Sequence, residues 1–305
     1  MTFGEHVFRY CERGTSEALL AEPLNAASNG AFLLAALAGL VLLLLRPREG
    51  RSADHFLLVG LVLLIGLGSL AFHLFATEGT ELLDVVPIGI FMLVYLGFAL
   101  NRFLGVPAGF MVLLVIGFTA LMALTMQVQC WEGAIGIPGP ELQGVKPCLN
   151  GSIFYLPALV ALIVVGLLAE ERGHRAAPYL LWAAAILAVS VTLRSLDMAL
   201  CDQAVIAGQK VGTHFAWHVL NGLALFLLLR ASLEGGPVDK AGAVETELLP
   251  PLDIKPAMSF ARTLADAPAP PAKPLAERVA SATEEAAKEG EAAEDAPEPK
   301  VLFPA

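Results

Sequence analysis

The chain has 305 residues, of which 56% are hydrophobic and only 16% charged, where an ordinary soluble domain carries roughly a quarter charged residues. Its formal charge of −10 is unevenly placed, because Ser232–Ala305 alone holds 14 acids against 7 bases. This excludes a soluble globular reading and argues against nucleic-acid binding by the nearly neutral remainder.

In chain order, residues 1–27 form a charged leader with Glu5, Arg9, Glu12, Arg13, Glu17 and Glu22 and no apolar h-region. No secretory signal is expected there, so the first true span should drive insertion. Uncharged runs of about 18 residues predict seven spans: Ser28–Leu45, Phe56–Phe75, Val85–Leu100, Pro107–Gln127, Ile153–Ala169, Ala177–Leu193 and Val211–Leu229. Such runs must be helices, since a spanning segment has to satisfy its own backbone and these are too long for barrel strands. Residues 28–231 are therefore expected to form the transmembrane domain. Residues 232–305, acidic and rich in Ala and Pro, are expected to be a disordered cytoplasmic tail. The predicted class is an all-α membrane protein, a seven-transmembrane helix bundle with a disordered C-terminal tail.

Lys and Arg in the short connections set the expected orientation. Arg46, Arg48, Arg51, Arg102, Arg172, Arg175 and Arg230 fall on one side, against Arg9, Arg13, Lys146 and Lys210 on the other, with Arg194 at a helix edge. This places the N-terminus outside and the C-terminus in the cytoplasm, in a bacterial inner membrane. Cys11, Cys130, Cys148 and Cys201 all fall on the outer, oxidising side. Four cysteines allow three pairings, and spacing does not choose among them.

Ionisable residues inside spans are expensive and point to function. His73 near the end of span two, Asp84 at the start of span three, and His214 and His218 at the start of span seven all map to the outer end of the bundle. Residues i and i+4 share a helix face, so His214 and His218 suit one metal ion, and Ser69 shares a face with His73. Three imidazoles plus a water make the open tetrahedral site of catalytic zinc. Asp84 would then serve as proton acceptor and Ser69 as hydrogen-bond donor to an oxyanion. Structural His-x-x-x-His pairs are common, but the shared depth of all three histidines favours a metal. His6, His55 and His174 are read as surface residues, and Arg194 with Asp197 as a structural ion pair. Trp217 is read as packing beside the ligands or at the interface.

With these residues the chain resembles the alkaline ceramidase family, part of a larger group of seven-span hydrolases that includes adiponectin and progestin-type receptors. The matching blocks are Tyr10-Cys11-Glu12, Ala21–Asn25 with Ser28-Asn29, Gly68-Ser69 with Phe72-His73, Asp84, Arg194 with Asp197 and Cys201, and His214 with Trp217-His218. They span about residues 6–231 and leave out the tail. The resemblance implies zinc on His73, His214 and His218, catalytic support from Asp84 and Ser69, and a Cys11–Cys201 disulfide. Cys130 and Cys148 would then close the loop between spans four and five. The implied reaction is hydrolysis of ceramide, or of another N-acyl lipid, to a fatty acid and a free amine. The partner is thus a membrane lipid, with no nucleic acid and no obligate protein partner. Eukaryotic members also bind calcium in the N-terminal segment. Glu12 and Glu22 match that pattern, but Arg9 stands where Asp is expected, Gly14 where Asn is, and Tyr10 replaces Trp. At most a weak calcium site would remain. The alternatives are a receptor-like member of the scaffold with a structural zinc, and a transporter; polar residues confined to one end count against transport.

Overall fold

A computed structural model describes residues 4–131, 134–138 and 146–234. The helices are α1 (Pro23–Ser28), α2 (Gly30–Leu45), α3 (Ala53–Phe75), α4 (Glu78–Arg102), α5 (Ala108–Gln127), α6 (Leu156–Glu171), α7 (Ala177–Leu196) and α8 (His214–Glu234). Among the described residues seven helical spans are long and apolar enough to cross a membrane, α1 with α2 making the first and the turn Cys148–Tyr155 leading into α6. The chain is a seven-helix integral membrane protein. Of the expected tail, 232–305, residues 232–234 instead belong to α8, with Ser232 and Leu233 buried, and the rest lies outside the described residues.

Burial orders the helices. In α8, 72% of the spanning window is buried, whereas in α5 only 6% is, so α8 is the central helix and α5 a peripheral one. The outer faces present Leu34, Leu113, Ile116 and Val160, each more than half exposed. Such a surface would be an aggregation hazard in water, but it matches hydrocarbon.

Helix ends differ from the expected spans for local reasons. Helix α4 starts at Glu78 rather than Val85, because the Thr77 side chain accepts from the Thr80 N–H and Glu78 and Glu81 occupy the first turn. Acids there suit the positive end of the helix dipole, yet an uncharged-run criterion discards them. The first span is broken at Asn29, between α1 and α2. Before α6, Leu149, Asn150 and Gly151 have positive φ, so the chain enters that helix through a tight turn.

Two small sheets, absent from the all-helical expectation, fill the loops at one end. Strands β1 (Gln129–Trp131), β2 (Ala134–Gly136) and β3 (Lys146–Pro147) pair antiparallel in the order β2-β1-β3, and β4 (Val205–Ile206) pairs with β5 (Gln209–Lys210). Strands this short carry no readable alternation. A Cys130–Cys148 disulfide anchors β1 to the turn before α6, and a Cys11–Cys201 disulfide ties the N-terminal segment to the loop after α7.

The contact that most directly positions the site is between α3 and α4. At Gly68 an added Cβ would lie 2.0 Å from the Leu83 carbonyl oxygen, so only glycine lets α4 approach closely enough to bring Asp84 against the last turns of α3. Gly68→Ala is expected to destabilise the bundle by about 1–3 kcal/mol or more through forced overpacking. Gly60→Ala in the same helix meets nothing within 4 Å and should be neutral or stabilising by about 0.5–1 kcal/mol. Thermal unfolding of the two variants in one detergent checks this; equal melting temperatures would refute the close-approach account.

Candidate metal centre

The centre is assembled by the ends of three helices. His73 lies in the last turn of α3, Asp84 in the second turn of α4, and His214 and His218 in the first turns of α8. Helix α8 begins where it does because Gly212, at φ +64, turns the chain against Asp197. A Cβ at Gly212 would sit 2.1 Å from Asp197 Oδ1. The fully buried Asp197 accepts from the backbone N–H groups of Thr213 (2.7 Å), His214 (2.9 Å) and Cys11 (2.9 Å). It therefore caps the histidine helix and pins the N-terminal segment to it. Burial pushes this carboxyl up, against the three N–H donors that favour the charged form.

The imidazoles of His73, His214 and His218 are fully buried, and one ligand atom from each lies within 4.8 Å of the others. Their ring centroids are 4.5–5.1 Å apart. Two rings are fixed from behind: His73 Nδ1 meets Glu22 Oε2 at 2.6 Å, and His218 Nδ1 meets the Ser28 hydroxyl at 2.7 Å. The third, His214, stacks on the Tyr10 ring at 3.6 Å. His73 Nε2 and His214 Nδ1 are buried and make no hydrogen bond. Buried polar atoms are normally satisfied, so unpaired nitrogens converging on one point fit a metal ion. A carboxylate behind a ligand histidine is the usual outer support of such a site. The three-histidine group could hold a metal ion. Asp84, 9% exposed, hydrogen-bonds Ser69 and lies in the field of His73.

The N-terminal carboxylates do not fit calcium. Glu12 accepts from the N–H groups of Leu24 and Asn25, both at 2.8 Å, and so serves as a cap for α1. Glu22 is held by Arg13, by Asn25 Nδ2 at 3.0 Å and by His73. Burial alone would raise the Glu22 carboxyl, but the hydrogen bond and field of His73, with Asn25 and Arg13, hold it below the usual carboxylate range. Arg9 turns away to pair with Glu81 at 2.8 Å.

Several single-residue expectations are corrected. Arg194 and Asp197 form no ion pair: the Arg194 guanidinium donates to Asn150 O (2.6 Å), Ser152 Oγ (3.0 Å) and Tyr10 Oη (3.1 Å), over the rings of Tyr10, Tyr155 and Trp217. A spacing of three residues suggested the pair, but Asp197 lies past the last helical residue and turns toward α8. His55 is not a surface residue. It is 2% exposed and bridges Ser52 to the Ser232 carbonyl. His6 and His174 are partly buried, His174 against Phe103. Trp217 is buried and packs on Tyr155. The residue that sequence reasoning missed is Arg13, treated as a loop charge but 3% exposed and paired with Glu22. Its contact with Glu22, nine residues on in an irregular segment, gave no periodic signal.

Asp197→Ala should strand three N–H groups, each at roughly 1–3 kcal/mol, and so lower the melting temperature sharply while loosening the start of α8. Thermal unfolding with peptide mapping of Cys11–Cys201 checks this; an unchanged melting temperature would show that Asp197 caps nothing of consequence.

No curated protein matches the chain. A family model described as Ceramidase matches residues 8–233, from the N-terminal segment almost to the end of α8. That match takes in all three histidines, Asp84, Ser69, the Cys11–Cys201 pair and the Arg13–Glu22 contact. On this match, the chain belongs to the ceramidase family.

Proposed function

We propose that this protein is a zinc-dependent membrane amidase that hydrolyses the N-acyl bond of ceramide or a similar lipid amide, releasing a fatty acid and a free amine. Membership of the ceramidase family supports an amide hydrolase acting on a membrane lipid. The observation that carries the reading is the buried cluster of three imidazoles beside a buried carboxylate. An all-imidazole donor set on a closed, rigid support suits zinc better than calcium or magnesium. When bound, zinc supplies the Lewis acidity that makes water nucleophilic near neutral pH.

The remaining steps fall to the chain's own groups. Asp84 accepts the proton of the attacking water and passes it to the leaving nitrogen, as a general base and then acid. The Ser69 hydroxyl is engaged with Asp84, so we assign it the orienting of that carboxylate; the oxyanion role expected from sequence would need this hydroxyl to rotate. An apolar cavity of about 90 Å³ that Phe91, Tyr95, Tyr155, Asn221, Leu225 and Leu228 help to line supports a lipid substrate. It sits one helical turn from the centre on three helices: Ile65 precedes Ser69 by four residues, Ile88 follows Asp84 by four, and Asn221 follows His218 by three. The first few methylenes of an acyl chain there would leave its amide at the histidines. A receptor with a structural metal has no use for a carboxylate held this way, which favours the enzyme.

The two disulfides lie at the same end of the bundle as the centre. They support an oxidising compartment on that side, hence an outer N-terminus and a cytoplasmic C-terminus, which in a bacterium means the inner membrane.

Two outcomes are expected. Elemental analysis of purified protein should give about one zinc per chain, with most of it lost in His218→Ala; metal unchanged in both His73→Ala and His218→Ala would end the metal reading. Asp84→Asn should keep zinc and lose roughly 10²–10⁴ in turnover on a ceramide panel, the usual loss for a general base. Near-normal turnover with full zinc would remove Asp84 from the mechanism.

A further inference from the structure

We propose that Arg13 is a built-in cation that stands in for a bound calcium ion in the N-terminal segment and, through Glu22, sets how firmly His73 holds its metal. The second half of this rests on the metal reading above; the first half does not.

A guanidinium has five N–H donors, and in Arg13 every one finds an oxygen. Nε donates to the Glu22 carboxylate, Nη1 to the carbonyls of Ser16 and Ala18 at 3.1 Å each, and Nη2 to the carbonyls of His73 at 2.8 Å and Leu74 at 3.4 Å. One carboxylate and several backbone carbonyls around a buried positive charge is the donor set that a hard divalent cation takes, although calcium wants roughly six to eight oxygens. Here the positive charge is covalently part of the chain, and arginine does not lose its proton.

The positions that would complete a calcium site are engaged elsewhere. Arg9 pairs with Glu81, Gly14 has no side chain, and both oxygens of Glu12 cap α1. A divalent ion entering beside Arg13 would find its oxygens already occupied and a positive charge in the way.

The contacts also say what the cation does. His73 and Leu74 lie in the last turn of α3, where carbonyls lack helical partners and a positive charge is favoured. Arg13 gathers that helix end, the Ser16–Ala18 turn and the residue before α1 around one point. It also holds Glu22 with Oε2 against His73 Nδ1. Arg13 is thus a positioning residue, acting on the metal through Glu22.

Full-length protein in detergent provides the test. Dialysed free of calcium and then titrated with calcium chloride, the wild type should show no change in melting temperature. Zinc-loaded Arg13→Ala should surrender its metal to a chelator about 10–100-fold more readily than wild type, the usual effect of removing support behind a ligand. Arg13→Lys keeps the charge with three donors and should fall between the two. Calcium raising the wild-type melting temperature would overturn the proposal. So would a folded Arg13→Ala with an intact Cys11–Cys201 bond and wild-type metal retention, or an Arg13→Lys no better than Arg13→Ala. Should Arg13→Ala fail to fold, the calcium titration of the wild type decides the first half, and metal retention in Arg13→Lys decides the second, overturning it if equal to wild type. Wild type that holds no metal at all would instead sink the metal-centre reading and leave the calcium result standing.

Discussion

One carboxylate, Glu22, lies buried between the guanidinium of Arg13 and the imidazole of His73. A charge in that position is tolerable only with partners, because desolvating an ion costs several kcal/mol before any attraction is regained. Its bond to Arg13 draws the N-terminal segment over the end of α3. Its bond to His73 fixes that ring and leaves Nε2 facing the other histidines. Replacing Arg13 by an apolar residue would leave Glu22 without its cation, whereas replacing His73 would leave the ion pair and free Oε2.

The same constraint recurs at the other buried charges near this end of the bundle. Asp197 takes three backbone N–H groups, and Arg194 takes two protein oxygens, a tyrosine hydroxyl and three aromatic faces. Each neutralises or spreads its charge locally, and each links elements distant in sequence: Asp197 joins α8 to Cys11, and Arg194 joins the turn before α6 to Tyr10. Tyr10 in turn stacks on His214. The polar end is therefore one connected network in which the histidines sit at the middle. Each of these buried charges has partners because an unpaired charge away from water is costly.

Beneath it the bundle is apolar, and the division has a functional sense. The small apolar cavity lined by Phe91, Tyr155 and Leu228 adjoins the centre by a single helical turn, and on the proposed reading it would take the start of the substrate's acyl chain. The close approach at Gly68 keeps α3 and α4 in the register that this requires, because Ser69 and Asp84 meet only if the two backbones touch.

The number and order of the spans were legible in the sequence, because hydrocarbon imposes length and apolarity on every spanning helix one segment at a time. So was the set of three histidines with Asp84 and Ser69: ionisable residues are rare in spans, and helix direction alone places these at one end. Other features depended on contacts that no local pattern records. Arg13 reads as a solvated loop charge until the fold brings α3's last carbonyls to it, and His55 reads as a surface residue until the Ser232 carbonyl arrives from α8. Arg194 and Asp197 are one turn apart, yet only the tertiary structure shows that they face different neighbours. Periodicity reports what a helix presents to its solvent, lipid or water. Which buried charge meets which partner is decided by residues from nine to nearly two hundred positions away, and that only the folded chain determines.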